Sequence, residues 1–78
     1  MALISKEYGR EYMIISNGTT DTIKDVTIDY RDGQSELVDI LPGTAVQLQG
    51  VQSLTADETA FEQLAISTHM RLEGFFLH

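Results

Sequence analysis

The sequence predicts an all-β fold, a small antiparallel β-sandwich or a partly open barrel, in one domain over residues 1–78. Three observations carry this expectation. Residues 22–48 read as three successive strands joined by tight turns at Asp32-Gly33 and Pro42-Gly43. Apolar and polar residues alternate with period two, first around Val26, Ile28 and Tyr30 and again from Leu64 to Leu72. Only one short segment, SLTADETA, breaks that rhythm.

In chain order, residues 1–10 mix apolar and charged types. Leu3 and Ile4 suit a short edge strand or an N-terminal arm that docks on a neighbour. Glu11 to Ser16, EYMIIS, is β-branched and aromatic, as a buried strand requires. Asn17-Gly18 then marks a turn, because both residues tolerate positive φ. Asn17-Gly18-Thr19 also spells a glycosylation sequon, which has meaning only in a secreted chain.

From Thr22, Val26, Ile28 and Tyr30 share one face, and Asp25, Thr27 and Asp29 share the other. This is the pattern of an antiparallel strand with one wet face. In QSELVDIL the apolar residues Leu37, Val38, Ile40 and Leu41 occupy both parities, so a strand covered on both sides or bulged near its end is expected. Pro42-Gly43 fits the centre of a type II turn, and Val46 and Leu48 alternate with Gln47 and Gln49 beyond it.

Thr55 followed by Glu58 matches a capping box, with Asp57 in the first turn. The expectation is one short helix over 56–63, with a polar loop as its rival. Leu64, Ile66, Thr68, Met70 and Leu72 then oppose Ala65, Ser67, His69, Arg71 and Glu73, which predicts a half-buried strand kinked at Gly74. Residues 74–78 end the chain as an apolar strand or a docking segment. The order of an Asp-Gly hairpin and a Pro-Gly turn before a strand resembles immunoglobulin-like sandwiches, although the Cys pair and core Trp of that fold are absent.

A domain of this length buries a modest core, and without Cys it has neither disulfides nor thiolate metal sites to add stability. Association with copies of itself or with a partner is the remaining staple. The formal net charge is -7, and the five basic residues, Lys6, Arg10, Lys24, Arg31 and Arg71, are scattered. That distribution argues against direct nucleic-acid binding and against an anionic membrane surface. The N-terminus lacks the basic and apolar regions of a signal peptide, so an intracellular (cytoplasmic) or virion location is expected.

No residue pattern supports catalysis. The two histidines are His69, on the more polar face of its strand, and the terminal His78, and no nucleophile elbow is present. Asp29, Asp32 and Glu36 with Gly33 miss the calcium-loop spacing, because Arg31 takes a ligand position. No phosphate cradle occurs, and no cofactor or metal is expected. The features that remain concern association. Phe75, Phe76 and Leu77 form an apolar patch for a partner or else complete the core, and Tyr8 and Tyr12 are rim contacts or half-buried residues. The expected function is therefore a non-catalytic structural or interaction module that forms protein–protein contacts, most concretely as a decoration or connector protein of a viral particle. The alternative is an acidic inhibitor that covers a basic, nucleic-acid-binding surface on another protein.

Overall fold

A computed structural model describes residues 2–69. They form five strands and one short helix, β1 (Leu3–Asn17), β2 (Ile23–Tyr30), β3 (Ser35–Ile40), β4 (Ala45–Asp57), α1 (Glu58–Gln63) and β5 (Leu64–His69). The three strands expected within 22–48 are β2, β3 and the first part of β4. All neighbours are antiparallel, in the order β3-β2-β4-β1-β5.

Among the described residues this is a single open sheet, where a two-layer sandwich or a partly open barrel was expected. The reason lies in strand length. A sandwich is built from short strands that change sheet at each turn, whereas β1 runs for 15 residues and β4 for 13. Irregularities bend these long strands instead of ending them. β1 carries one extra residue against β4 between Glu7 and Arg10, and Gly9 there has φ +54°. In β4 the buried residues step from Leu48 to Val51 to Leu54, so the inward face changes parity twice. Gly50 makes the first change with φ +69°, a backbone conformation that L side chains resist.

Leu3 to Glu7 therefore lie within the sheet, paired residue by residue with Asp57 to Ser53, as the first half of β1. The core occupies one face. Met13 and Ile15 of β1 pack with Ile23, Val26 and Ile28 of β2, Ile40 of β3, and Leu48, Val51, Leu54 and Ala56 of β4. Ala60 of α1 and Leu64 of β5 complete that cluster. The period-two readings of β2 and β5 hold over the described span, since Val26, Ile28 and Leu64 are buried while Ala65 and Ser67 are exposed.

Turn chemistry differs from expectation at two places. Asn17-Gly18 is not a positive-φ hairpin, since neither residue has φ above zero. Asn17 instead ends β1 with 1% of its surface exposed. Its Nδ2 donates to the carbonyls of Asp21 (2.7 Å) and Ile40 (2.9 Å), and its Oδ1 accepts from the Thr19 amide (2.9 Å) and hydroxyl (2.6 Å). Four side-chain bonds thus tie β1, the following turn and the end of β3 together. The helix also begins later than the capping box places it. Thr55 remains in β4, and Asp57 is the cap, its Oδ1 accepting from the Thr59 amide at 3.3 Å. The Glu58 amide donates to the Ala2 carbonyl at 2.9 Å, which joins the helix start to the chain start. Pro42-Gly43 behaves as expected, with Gly43 at φ +71° and the Thr44 amide donating back to Leu41 at 3.3 Å.

Candidate contact surface

The face of the sheet opposite the core is wet, and the register lines up its residues across four strands. One row runs Leu37, Thr27, Thr55, Ser5 from β3 to β1. The next runs Ser35, Asp29, Ser53, Glu7. At about 4.8 Å per strand each row spans roughly 14 Å. Within them the Ser5 and Thr55 hydroxyls lie 2.7 Å apart, and the Ser53 hydroxyl donates to Asp29 Oδ2 at 3.3 Å. Leucines stand near opposite margins of this polar field. Leu37 on β3 is 64% exposed and Leu3, paired with Asp57, is 67% exposed.

The mixed parity of QSELVDIL is explained by this arrangement. Val38 and Ile40 serve the core, but Leu37 and Leu41 face outward, so β3 is not covered on both sides by the described residues. Single exposed leucines are ordinary on a protein surface, but Leu3 and Leu37 line one shared concavity, and a joined apolar feature of that kind is what a partner buries.

Where this face meets the start of β2 and α1, an open concavity of about 550 Å³ lies between Leu3, Thr27, Leu37, Thr55, Asp57 and Gln63. Its wall includes Asp25, the one non-glycine residue among those described with positive φ, at +61°. Asp25 sits where the β2–β3 register slips between Ile23 and Val26. Its amide donates to Asp39 Oδ1 at 3.1 Å, which holds the bulge and fixes the Asp39 carboxylate. An aspartate held in this conformation stores of order 1 kcal/mol, and such strain gathers at functional positions.

On the core side of the same hairpin, the Tyr30 hydroxyl donates to Glu36 Oε2 at 2.8 Å. Burial, followed by that hydrogen bond and the negative charges of Glu36 and Asp32, pushes the Tyr30 phenol up to about 12. The hairpin from Asp21 to Leu41 holds Asp21, Asp25, Asp29, Asp32, Glu36 and Asp39 against Lys24 and Arg31. It carries six of the chain's twelve acidic residues.

Of the residues singled out in the sequence, Tyr8 and Tyr12 are half-buried in β1. Tyr8 packs against the core, and burial raises its phenol pKa. Phe75, Phe76 and Leu77, with the rest of 74–78, lie outside the described residues, as does His78. The backbone of His69 pairs with Tyr12. Among the described residues no three acidic or histidine side chains gather as a metal site, and no helix is long and apolar enough to cross a membrane. Leu3 was expected in an edge strand or docking arm and Asp25 on a wet strand face, but the exposure of Leu37 and the positive-φ bulge at Asp25 were not recognised in the sequence. The mixed parity around Leu37 was the available signal, because an extra apolar residue in an edge strand must lie on its wet face. No protein-family model matches this chain, and no curated protein and no solved structure is significantly similar to it.

Proposed function

We propose that this chain is a non-catalytic module that works by protein–protein contact, as a small component of a larger assembly such as a viral particle. The observation that carries the reading is the wet face with Leu3 and Leu37 exposed at its margins and a concavity beside them. Burying two leucines contributes about 1.5–3 kcal/mol each, enough to anchor a small interface. A partner that covers the Leu37, Thr27, Thr55, Ser5 row gains hydrogen bonds from its hydroxyls without burying a charge from that row, while the next row presents Asp29 and Glu7 to the partner's own polar groups.

The experiment is solution mass by size exclusion with light scattering over a range of concentration and salt. Wild type is compared with a Leu3→Lys/Leu37→Lys double variant. Oligomers that the double variant abolishes support contact through this face. Oligomers that it leaves intact overturn the face as the contact surface, and a monomer under all conditions overturns self-assembly.

A second reading, an acidic inhibitor of a basic surface on another protein, is favoured by the acid-rich β2–β3 hairpin. Its association rate falls steeply with salt, because the attraction between opposite charges steers the encounter only over a Debye length. Binding that ignores salt refutes it.

A further inference from the structure

We propose that the outer edge of β3 accepts an extended, basic segment of a partner protein as an added antiparallel or parallel strand. The inference rests on the contact-module reading and names the partner's chemistry.

Among the described residues β3 has a neighbour on one side only, β2. The hairpin bonding identifies which backbone groups point away from it. The Tyr30 amide donates to the Gln34 carbonyl at 2.8 Å, so Tyr30 and Gln34 are a hydrogen-bonded pair. In an antiparallel ladder such pairs alternate. With the register Ile28↔Glu36 and Val26↔Val38, Glu36 and Val38 turn their amides and carbonyls toward β2. Ser35 and Leu37 turn theirs outward, to the free edge. These are the groups a new strand would engage.

Native sheets protect such edges with lysine, proline or an inward charge. β3 contains no Lys, Arg or Pro, and its guards are acids alone, Glu36 on the core side and Asp39 on the wet face. Both carboxylates are oriented, Glu36 by the Tyr30 hydroxyl and Asp39 by the Asp25 amide. A second copy of β3 would bring four carboxylates onto adjacent strands with no cation between them, which opposes self-pairing. A strand with the order cation–apolar–apolar–cation meets the opposite condition, because successive side chains face opposite ways. Its cations find Glu36 and Asp39 on the two faces, and an apolar residue covers Leu37.

The test is a titration of the isotope-labelled full chain with a capped peptide of repeated Lys-Val-Val-Lys, followed by amide shifts and hydrogen exchange. A Glu-Val-Val-Glu peptide is the control for charge. The expected result is shift changes centred on β3 with slowed exchange at Ser35 and Leu37, and no such response to the acidic peptide. Leu37→Pro removes an outward amide without breaking a ladder bond, and it lowers affinity at least about 10-fold, the worth of a well-made hydrogen bond. Leu37→Thr keeps that amide and stays within about 3-fold of wild type. The hydrogen-exchange pattern of the wild type decides the question even if Leu37→Pro fails to fold. Three results overturn the inference: no binding, equal binding of the acidic peptide, or unchanged binding by a folded Leu37→Pro. If any of these appears while Leu3→Lys/Leu37→Lys still abolishes oligomers, the edge proposal falls and the contact module stands.

Discussion

Removing the Asn17 side chain tests the fold at its most connected polar group. The residue is almost wholly buried, and each of its two amide hydrogens and both lone pairs of Oδ1 are used. Asn17→Ala deletes four hydrogen bonds, each with a net contribution of about 1 kcal/mol. The bond from Nδ2 to the Ile40 carbonyl is itself buried, and its loss orphans an acceptor. With Asn17 Oδ1 gone, the Thr19 hydroxyl turns its one hydrogen to the Asp21 carbonyl 3.0 Å away, which limits the damage there. The expected cost is about 3–4 kcal/mol. A chain of this size has a total stability of roughly 4–12 kcal/mol, so the variant sits close to unfolding.

Urea titration followed by circular dichroism measures this directly. With a slope near 1 kcal/mol per M, the midpoint falls by about 3 M. Asn17→Asp sharpens the test, because it keeps the acceptors for Thr19 but turns carboxylate oxygen toward two carbonyls. At neutral pH it costs more than Asn17→Ala. Those carbonyls raise the folded-state pKa of the new carboxyl above its unfolded value, so its stability is greatest below the unfolded pKa and is lost as pH rises through the folded one. A loss under about 1 kcal/mol in Asn17→Ala, or an Asn17→Asp variant as stable at neutral pH as in acid, would refute the reasoning.

Three other outcomes are expected. Asp25→Gly relieves the positive-φ strain while keeping the amide bond to Asp39, and it raises stability by about 0.5–1 kcal/mol; a lowered denaturation midpoint would show that no strain is stored there. Gly50→Ala costs about 1 kcal/mol, all of it conformational, since an added Cβ meets no heavy atom within 4 Å. A much larger loss would point to a steric clash instead. For Tyr30 the folded pKa of about 12 lies above the ordinary phenol value of 10.0, so its contribution is present below pH 10 and is lost as pH rises through the folded pKa. Tyr30→Phe flattens that alkaline decline, and an unchanged pH profile would deny the Tyr30–Glu36 bond its role.

The parts of the fold that were legible in the sequence are those where local chemistry and tertiary context agree. Val26 and Ile28 alternate because β2 has one buried face, and Pro42-Gly43 turns because its φ preferences match the bend. The long strands were not legible, because Gly9 and Gly50 look like strand ends but are a bulge and a left-handed kink inside continuous pairing. The inward face of β4 shifts parity at each irregularity, so no single period could reveal its full length. Asn17 misled for a different reason. Its preference for turns is real, but burial recruits its side chain as a bridge between two turns, a role only long-range contacts define. The helix cap illustrates a near tie, since Thr55 and Asp57 both carry suitable oxygens, and the pairing of Thr55 with Ser5 and Thr27 keeps it in the strand.

The bulge at Asp25 links fold to surface. It slips the β2–β3 register by one residue, and pairing resumes beyond it at Ile23 and Ile40. The same bulge turns the Asp25 amide onto Asp39 and so sets one of the two acids flanking Leu37. An edge guarded by acids alone discriminates by charge. It rejects its own copy and any acidic strand through unpaired carboxylates, while a basic strand neutralises them and gains the backbone bonds of Ser35 and Leu37. Selectivity in the proposed contact therefore rests on a repulsive element against wrong partners as much as on an attractive one for the right partner. Neutralising Glu36 and Asp39 together should then widen the range of strands accepted, the acidic glutamate–valine peptide included, and a double variant that still refuses that peptide would mean that shape, not charge, governs the edge.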